Sequence, residues 1–208
     1  QGSLLQCSLF VLSVILISGI SIAYGQTKLK KEAMTTSQNI SASPAPSATY
    51  SKSSKKLPIY CVDTSDKKIA LSFDAAWGNE DTKKIMDILD KHKVHVTFFM
   101  TGGWVESYPD DVKMIAGHGH DLGNHSQNHK QMSKLSLEEC KQEIQSVHDK
   151  VKEITGKEMI LFRPPYGDYN DTLITATEEC GYHAIQWDVD SLDWKDYGID
   201  SIIKTVCE

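Results

Sequence analysis

Two histidines, His125 and His129, stand four positions apart, directly after a short apolar segment that ends in Gly123. Side chains four positions apart share a face on one helical turn, so both imidazoles can converge on one ion. Neutral imidazole is a preferred ligand of zinc and of its neighbours among the transition metals. The pair therefore predicts half of a metal site. A pair of ordinary surface or core histidines is the alternative.

Three further polar motifs also follow segments that have the composition of strands. Asp74 follows one apolar strand, the segment 163–167 (Arg-Pro-Pro-Tyr-Gly) follows another, and the segment 190–194 (Asp-Ser-Leu-Asp-Trp) follows a third. In folds built from parallel strands the chemistry lies at the carboxyl ends of the strands. Each motif alone also suits a turn, a rigid loop or an acidic turn beside a core tryptophan. Together they predict one site at one rim.

The elements that position these motifs alternate between strand and helix signals from Leu57 onwards. Short apolar or β-branched runs predict five strands, at 68–73, 94–100, 121–123, 159–162 and 182–189. Helix start signals lie between them: Asn79 as a cap, Ser107 and Pro109, a capping box at 136–139, Asn170, and 200–201. This alternation predicts an α/β fold with a parallel sheet or barrel.

The first part of the chain has a different composition. Residues 4–24 carry no charge, and about 21 residues at 1.5 Å each span roughly 31 Å, one hydrocarbon thickness. We interpret 1–27 as a signal peptide or a transmembrane anchor; both alternatives stay open. Residues 28–56, dense in Ser, Thr, Ala and Lys, are interpreted as a disordered linker. The folded domain is then 57–208, in an exported protein that is anchored to the outer face of the membrane or secreted to the cell wall.

Charge and cysteine content narrow the choice of partners. The net charge of −6 disfavours nucleic acid, since phosphate binding requires a basic face. Five widely spaced cysteines without a CxxC pair do not form a disulfide framework, and they are interpreted as small buried apolar residues. The oligomeric state stays open.

The motifs, taken in order, resemble those of a known family. The segments 72–74, 125–129, 163–167 and 190–194 are similar to the successive motifs of the NodB-homology polysaccharide deacetylases, carbohydrate esterase family 4. The segment 75–78 (Ala-Ala-Trp-Gly) is most similar to the sporulation-associated and peptidoglycan-type branch. The resemblance implies a distorted (β/α) barrel without its last strands, and hydrolysis of N-acetyl groups from a cell-wall polysaccharide that contains GlcNAc or MurNAc.

The resemblance also implies a role for each matching residue. Asp74 matches the general base, and His125 and His129 match two ligands of a divalent metal, zinc by preference. Arg163 would orient the base, and the backbone N–H of Tyr166 would stabilise the oxyanion. The other matches, Asp193 as the carboxylate that pairs with Arg163, and Pro165 and Trp194 as groove residues for the sugar, complete the set.

Two departures from the family pattern bear on activity. The family's third ligand is an aspartate directly after the base, and here that position is Ala75, so occupancy of the metal site is in doubt. The family's late Leu-x-His motif has no match, because no histidine follows Trp194. We therefore expect the 208-residue chain to be inactive or poorly folded. The alternatives to an active enzyme are a carbohydrate-binding pseudoenzyme and a structural relative.

Overall fold

The structure, a computed structural model, describes residues 55–207. The predictions for the apolar segment 1–27 and for the linker up to residue 54 lie outside this range. Among the described residues, no helix has both the length and the apolar character needed to cross a membrane.

A five-stranded parallel sheet forms the centre of the described fold. The strands are β1 (Ser72–Ala75), β2 (Thr97–Met100), β3 (Asp121–Asn124), β4 (Leu161–Phe162) and β5 (His183–Ala184). Each strand pairs in parallel with the next one along the chain, in the order β1-β2-β3-β4-β5. This is the order of strands in the wall of a (β/α) barrel. The predicted α/β fold class is confirmed.

Helices connect the strands and cover the sheet. They are α1 (Thr82–His92), α2 (Gly102–Ser107), α3 (Pro109–Gly117), α4 (Leu137–Thr155), α5 (Asp171–Glu179) and α6 (Ile199–Cys207). The core lies between sheet and helices, where Phe98 and Met100 of β2 and the stripe Ile144, Val147 and Val151 of α4 are buried. Apolar residues three or four apart make this stripe, so one face of α4 packs on the core.

Four of the five strands are shorter than predicted, and β3 is one residue longer. The segment 94–100 contributes only Thr97–Met100 to β2, because the N–H of Val94 donates to the carbonyl of Leu89 and still belongs to the end of α1. Lys93 between them has a left-handed backbone with φ of 53°. An apolar run thus includes a helix end as well as the strand that follows it.

Most of the predicted caps are confirmed. Ser136 and Glu139 form the capping box of α4, and the side chain of Asn170 accepts a hydrogen bond from the N–H of Leu173 at the start of α5. The prediction that Asn79 caps α1 is wrong. The helix begins at Thr82, and the Asn79 amide donates instead to the carboxylate of Asp111 at 2.7 Å. Helix α2, capped by the Thr101 hydroxyl, was not predicted.

Candidate active site

The carboxyl ends of β1, β3 and β4 meet at one rim of the sheet. Asp74 lies in β1, His125 directly follows β3, and Arg163 directly follows β4. The N–H of His125 donates to the carbonyl of Met100 at 3.0 Å, and the N–H of Arg163 donates to the carbonyl of Asn124 at 2.9 Å. The sheet therefore brings three of the predicted site residues together and fixes their backbones.

Arg163 holds the carboxylate of Asp74 in place. Its Nη1 lies 2.6 Å from Oδ1 of Asp74, and its Nη2 donates to the hydroxyl of Ser72 at 2.8 Å. The guanidinium is buried and lies 4.0 Å from the centre of the Phe99 ring. Charge-assisted bonds of this kind fix geometry as well as charge. The contact between Arg163 and Asp74 that the resemblance implies is present, and the hydroxyl of Ser72 was not predicted to take part.

The buried ring of His125 faces the second oxygen of this carboxylate. Its Nδ1 lies 2.7 Å from the carbonyl oxygen of Arg163, and its Nε2 lies 3.7 Å from Oδ2 of Asp74. A carbonyl only accepts, so Nδ1 carries the hydrogen and Nε2 has a free lone pair. Burial lowers the pKa of His125 and outweighs the opposing effect of Asp74. A neutral imidazole with an available Nε2 is the form that binds metals.

His129 reaches the same place by a route other than the predicted helical turn. The segment after β3 is an irregular loop, and Ser126 and His129 have left-handed backbones with φ of 66° and 51°. The Ser126 hydroxyl accepts the N–H of His129 at 3.0 Å. The rings of His125 and His129 then lie 4.9 Å apart. The expectation of convergence is met, but a strained loop rather than a helix produces it.

A buried acid on α4, Glu143, anchors this loop and was missed in the sequence. One oxygen accepts the backbone N–H of Asn128 and the other accepts its side-chain amide, both at 2.8 Å. Lys130 pairs with the same carboxylate at 2.8 Å. Burial raises the pKa of Glu143, but the hydrogen bonds from Lys130 and Asn128 lower it more, so it is lowered overall. The sequence did contain a signal for this contact. Glu143 stands three positions after Cys140, so it falls on the buried, otherwise apolar face of α4.

The donor atoms near the rim suit only part of a metal site. His125 and His129 could hold a divalent metal through imidazole nitrogens, and Nδ1 of His129 is buried without a hydrogen-bond partner among the described residues. Ala75 ends β1 where the resemblance places a carboxylate ligand. Between residues 55 and 207, no group of three or more His, Cys, Asp or Glu side chains is arranged to bind an ion. The residues therefore fit a two-histidine site that lacks a third protein ligand.

The segment after β4 forms a short 3-10 turn, Pro165–Gly167, beside the histidines. Pro165 is buried, and Tyr166 is exposed with a left-handed backbone, φ 61°. The Tyr166 ring lies 4.6 Å from that of His129. Pro165 was predicted to contact the sugar, but its burial does not support that role. Its ring stiffens the turn instead. Tyr166 is the residue of this turn that faces the rim.

Asp193 and Trp194 lie apart from the other site residues. Asp193 is exposed, and its Oδ1 accepts the hydroxyl of Ser191 at 2.6 Å. The predicted pairing of Asp193 with Arg163 is wrong in this structure, because the guanidinium is directed at β1 and the carboxylate is bound within its own turn. Trp194 is 72% exposed, and the amine of Lys195 lies 4.9 Å from its ring centre.

Comparison with known proteins identifies the family of this chain. The family model described as polysaccharide deacetylase matches residues 62–185, more than half of the chain. The chain belongs to the polysaccharide deacetylase family. It is 36% identical over 153 residues to the peptidoglycan-N-acetylmuramic acid deacetylase PdaA of Bacillus subtilis, a match that covers 70% of this chain and 58% of PdaA.

Two similar solved structures are described in opposite terms, one as a deacetylase and one as a pseudoenzyme. The peptidoglycan deacetylase PdaC from B. subtilis is 37% identical with a TM-score of 0.63, and the match covers 70% of each chain. BA3943 from Bacillus anthracis, a CE4 family pseudoenzyme, is 33% identical with a TM-score of 0.70, covering 72% of this chain and 53% of BA3943. A BA3943 mutant is described as having restored enzymatic activity. The family thus includes members with and without hydrolysis.

Proposed function

We propose that the protein hydrolyses N-acetyl groups of a cell-wall polysaccharide that contains GlcNAc or MurNAc. The observation that carries this proposal is the Asp74 carboxylate, held at 2.6 Å by the buried Arg163 with its other oxygen directed at His125. A fixed carboxylate at an open rim is the arrangement required of a general base. The similarity to PdaA and PdaC supports the substrate class.

In the proposed reaction, Asp74 takes the proton of the attacking water while Arg163 keeps the carboxylate in position. Water oxygen bonds to the amide carbonyl carbon, Asp74 returns the proton to the leaving nitrogen as the C–N bond breaks, and acetate and a free sugar amine result. The backbone N–H of Tyr166 stabilises the oxyanion. A divalent metal, zinc in this proposal, would be held by His125 and His129 and would supply Lewis-acid chemistry.

A second candidate is binding of the same polysaccharide without hydrolysis. Ala75 favours it, because a methyl group at the end of β1 cannot bind an ion. The similarity to the pseudoenzyme BA3943 supports it independently. Loss of one protein ligand would weaken the hold on the metal while leaving the groove for the sugar intact.

We also propose that the protein works outside the cytoplasm, as expected for a protein that acts on the cell wall. The uncharged stretch 4–24 supports export, either as a cleaved signal or as an anchor in the membrane. The chain spans 58% of the length of PdaA, so the activity, substrate and partners of the whole protein belong to this proposal.

The test is acetate release from peptidoglycan and from chitotetraose, with added zinc and with a chelator. If the proposal holds, the unmodified chain releases acetate in a zinc-dependent way, against the expectation of inactivity that follows from the missing Leu-x-His motif. Asp74→Asn, which keeps the shape of the side chain and loses its basicity, then releases none. Sugar binding without acetate release supports the second candidate. A chain that neither binds nor hydrolyses these polymers contradicts both.

A further inference from the structure

Trp77 is a large apolar side chain with no place in the core and none in the proposed reaction. It lies two residues beyond the end of β1 and is 80% exposed. Its ring system meets the ring of His129 edge to face, with ring centres 5.0 Å apart and planes at 68°. The exposed indole is therefore available to a ligand that binds at the rim, and covering it would bury apolar surface.

The two residues that follow Trp77 are both fixed by hydrogen bonds. The carbonyl of Gly78 accepts the indole N–H of Trp104 at 2.6 Å, and Trp104 itself is buried in α2. The amide of Asn79 donates to Asp111 of α3 at 2.7 Å. Gly78 has φ of 61°, a backbone that glycine adopts without strain. The exposed ring is therefore presented by an anchored turn, and little order has to be gained when a ligand binds.

Tyr166 presents a second exposed ring to the same histidine. It is 63% exposed, and its ring meets that of His129 at 4.6 Å and 67°. Trp77 and Tyr166 thus come from different strand ends and both contact His129. Aromatic side chains with a free face offer an apolar surface with a polar rim around it, and the C–H face of a pyranose ring packs on such surfaces.

We propose that Trp77, together with Tyr166, forms an aromatic platform that binds the pyranose ring of an N-acetylated sugar and brings its acetamido group towards Asp74. The inference rests on the proposed function for the class of sugar. It does not require hydrolysis, because a relative that only binds the polymer needs the same platform.

The experiment measures binding of chitotetraose to the full chain by calorimetry, with acetate release followed in the same samples. Trp77→Ala is expected to weaken binding at least about fivefold, and Trp77→Phe, which keeps an aromatic face, less than about threefold. Ile69→Ala is the matched control. Ile69 is 61% exposed and precedes β1 at its opposite end, so its removal is expected to leave binding unchanged.

Each outcome decides the inference. Equal binding by the unmodified chain and Trp77→Ala overturns the platform, as does an unmodified chain that does not bind chitotetraose. If the unmodified chain binds chitotetraose but releases no acetate, the proposal of hydrolysis is overturned. The platform is then tested by the comparison with Trp77→Ala alone. Full binding by Trp77→Phe beside lost binding by Trp77→Ala supports the role of the aromatic face and shows that the turn still folds.

Discussion

Three residues around the site have left-handed backbones although none of them is glycine. Ser126, His129 and Tyr166 have φ of 66°, 51° and 61°. Such conformations cost of the order of 1–3 kcal/mol each and persist only where the surroundings impose them. For Ser126 and His129 the surroundings are the hydrogen bonds that Asn124 and Ser126 make within the loop. At the scale of single residues, these strained backbones lower the stability of the fold and hold the rings of His129 and Tyr166 in place.

Arg163 is predicted to be replaceable by neither lysine nor a neutral residue. Its fork reaches Asp74 and Ser72 at once, whereas a lysine amine is a single donor centre that cannot reproduce both contacts. We expect Arg163→Lys to lower the kcat of acetate release at least about tenfold. Steady-state kinetics of the variant measure this.

Ser72→Ala is the control for that substitution. It removes one neutral hydrogen bond and leaves the ion pair with Asp74, so its effect is expected to be smaller than that of Arg163→Lys. A lysine variant with unchanged kcat would contradict the role given to the guanidinium.

The sequence predicted which residues meet but not every contact between them. Asp74 lies near the end of β1, and His125 and Arg163 directly follow β3 and β4, so the parallel sheet alone brings them to one rim. The predicted partner Asp193 does not pair with Arg163, and its carboxylate accepts the hydroxyl of Ser191 within its own turn. Spacing gives no information about such a bond. The strained backbone at His129 is equally invisible in a one-letter pattern.

At the scale of elements, helix α4 supports the site from behind. Its residue Glu143 joins α4 to the loop that carries both histidines, and its pKa is lowered from the ordinary value of 4.5. The unfolded chain therefore takes up this proton first as the pH falls. The stability that Glu143 contributes is fully present above about pH 4.5 and is lost as the pH falls through its lower folded-state pKa.

Glu143→Gln is expected to reduce the free energy of unfolding by about 1–3 kcal/mol at neutral pH, since the buried charge-assisted bonds are lost. The difference from the unmodified chain should narrow at about pH 3.5. Urea unfolding at both values measures it. Glu153→Gln, on the exposed face of the same helix, is expected to change stability by less than about 0.5 kcal/mol. A difference that widens in acid would contradict this account.

The capping box of α4 gives a second prediction at this scale. The hydroxyl of Ser136 accepts the N–H of Glu139, and the Glu139 side chain accepts in return. Ser136→Ala is expected to cost about 1 kcal/mol of unfolding free energy. Ser146→Ala makes the same change in the interior of the helix, where alanine is the better helix former, and is expected to be neutral or slightly stabilising. Equal effects of the two substitutions in thermal unfolding would refute the cap.

Helix caps were predicted well because their chemistry is local. Ser136 and Asn170 act on N–H groups within a few residues of themselves. Asn79 has the same side-chain chemistry, but Asp111, which is 32 residues away, accepts its amide. The lengths of all strands but β3 were overestimated because pairing with neighbours, rather than composition, decides where a strand ends.

At the scale of the whole molecule, consecutive parallel pairing brings the carboxyl ends of all five strands to the same edge of the sheet. The predicted α/β architecture followed from the alternation of strand and helix signals alone. The extension of the sheet beyond β5, where Ile59 pairs in parallel with Ile185, was not predicted, since a pairing across so long a separation leaves no trace in local pattern.

The chain belongs to the polysaccharide deacetylase family, and we propose that this rim is a deacetylase site in which one metal ligand is replaced. The base and its arginine are in contact, and two imidazoles lie 4.9 Å apart. Ala75 at the end of β1 is the single departure among these positions. We propose that this alanine, rather than the placement of the histidines, limits the affinity of the site for a metal.

Zinc affinity of the unmodified chain, Ala75→Asp and Ala76→Asp, measured by competition with a chromophoric chelator, tests this claim most directly. A carboxylate at position 75 is expected to lower the Kd for zinc at least about tenfold, which corresponds to ~1.4 kcal/mol. The same charge one residue further on, at position 76, is expected to leave the Kd within about threefold of the unmodified chain. Equal affinities for all three chains, or tighter binding by Ala76→Asp than by Ala75→Asp, would contradict the claim.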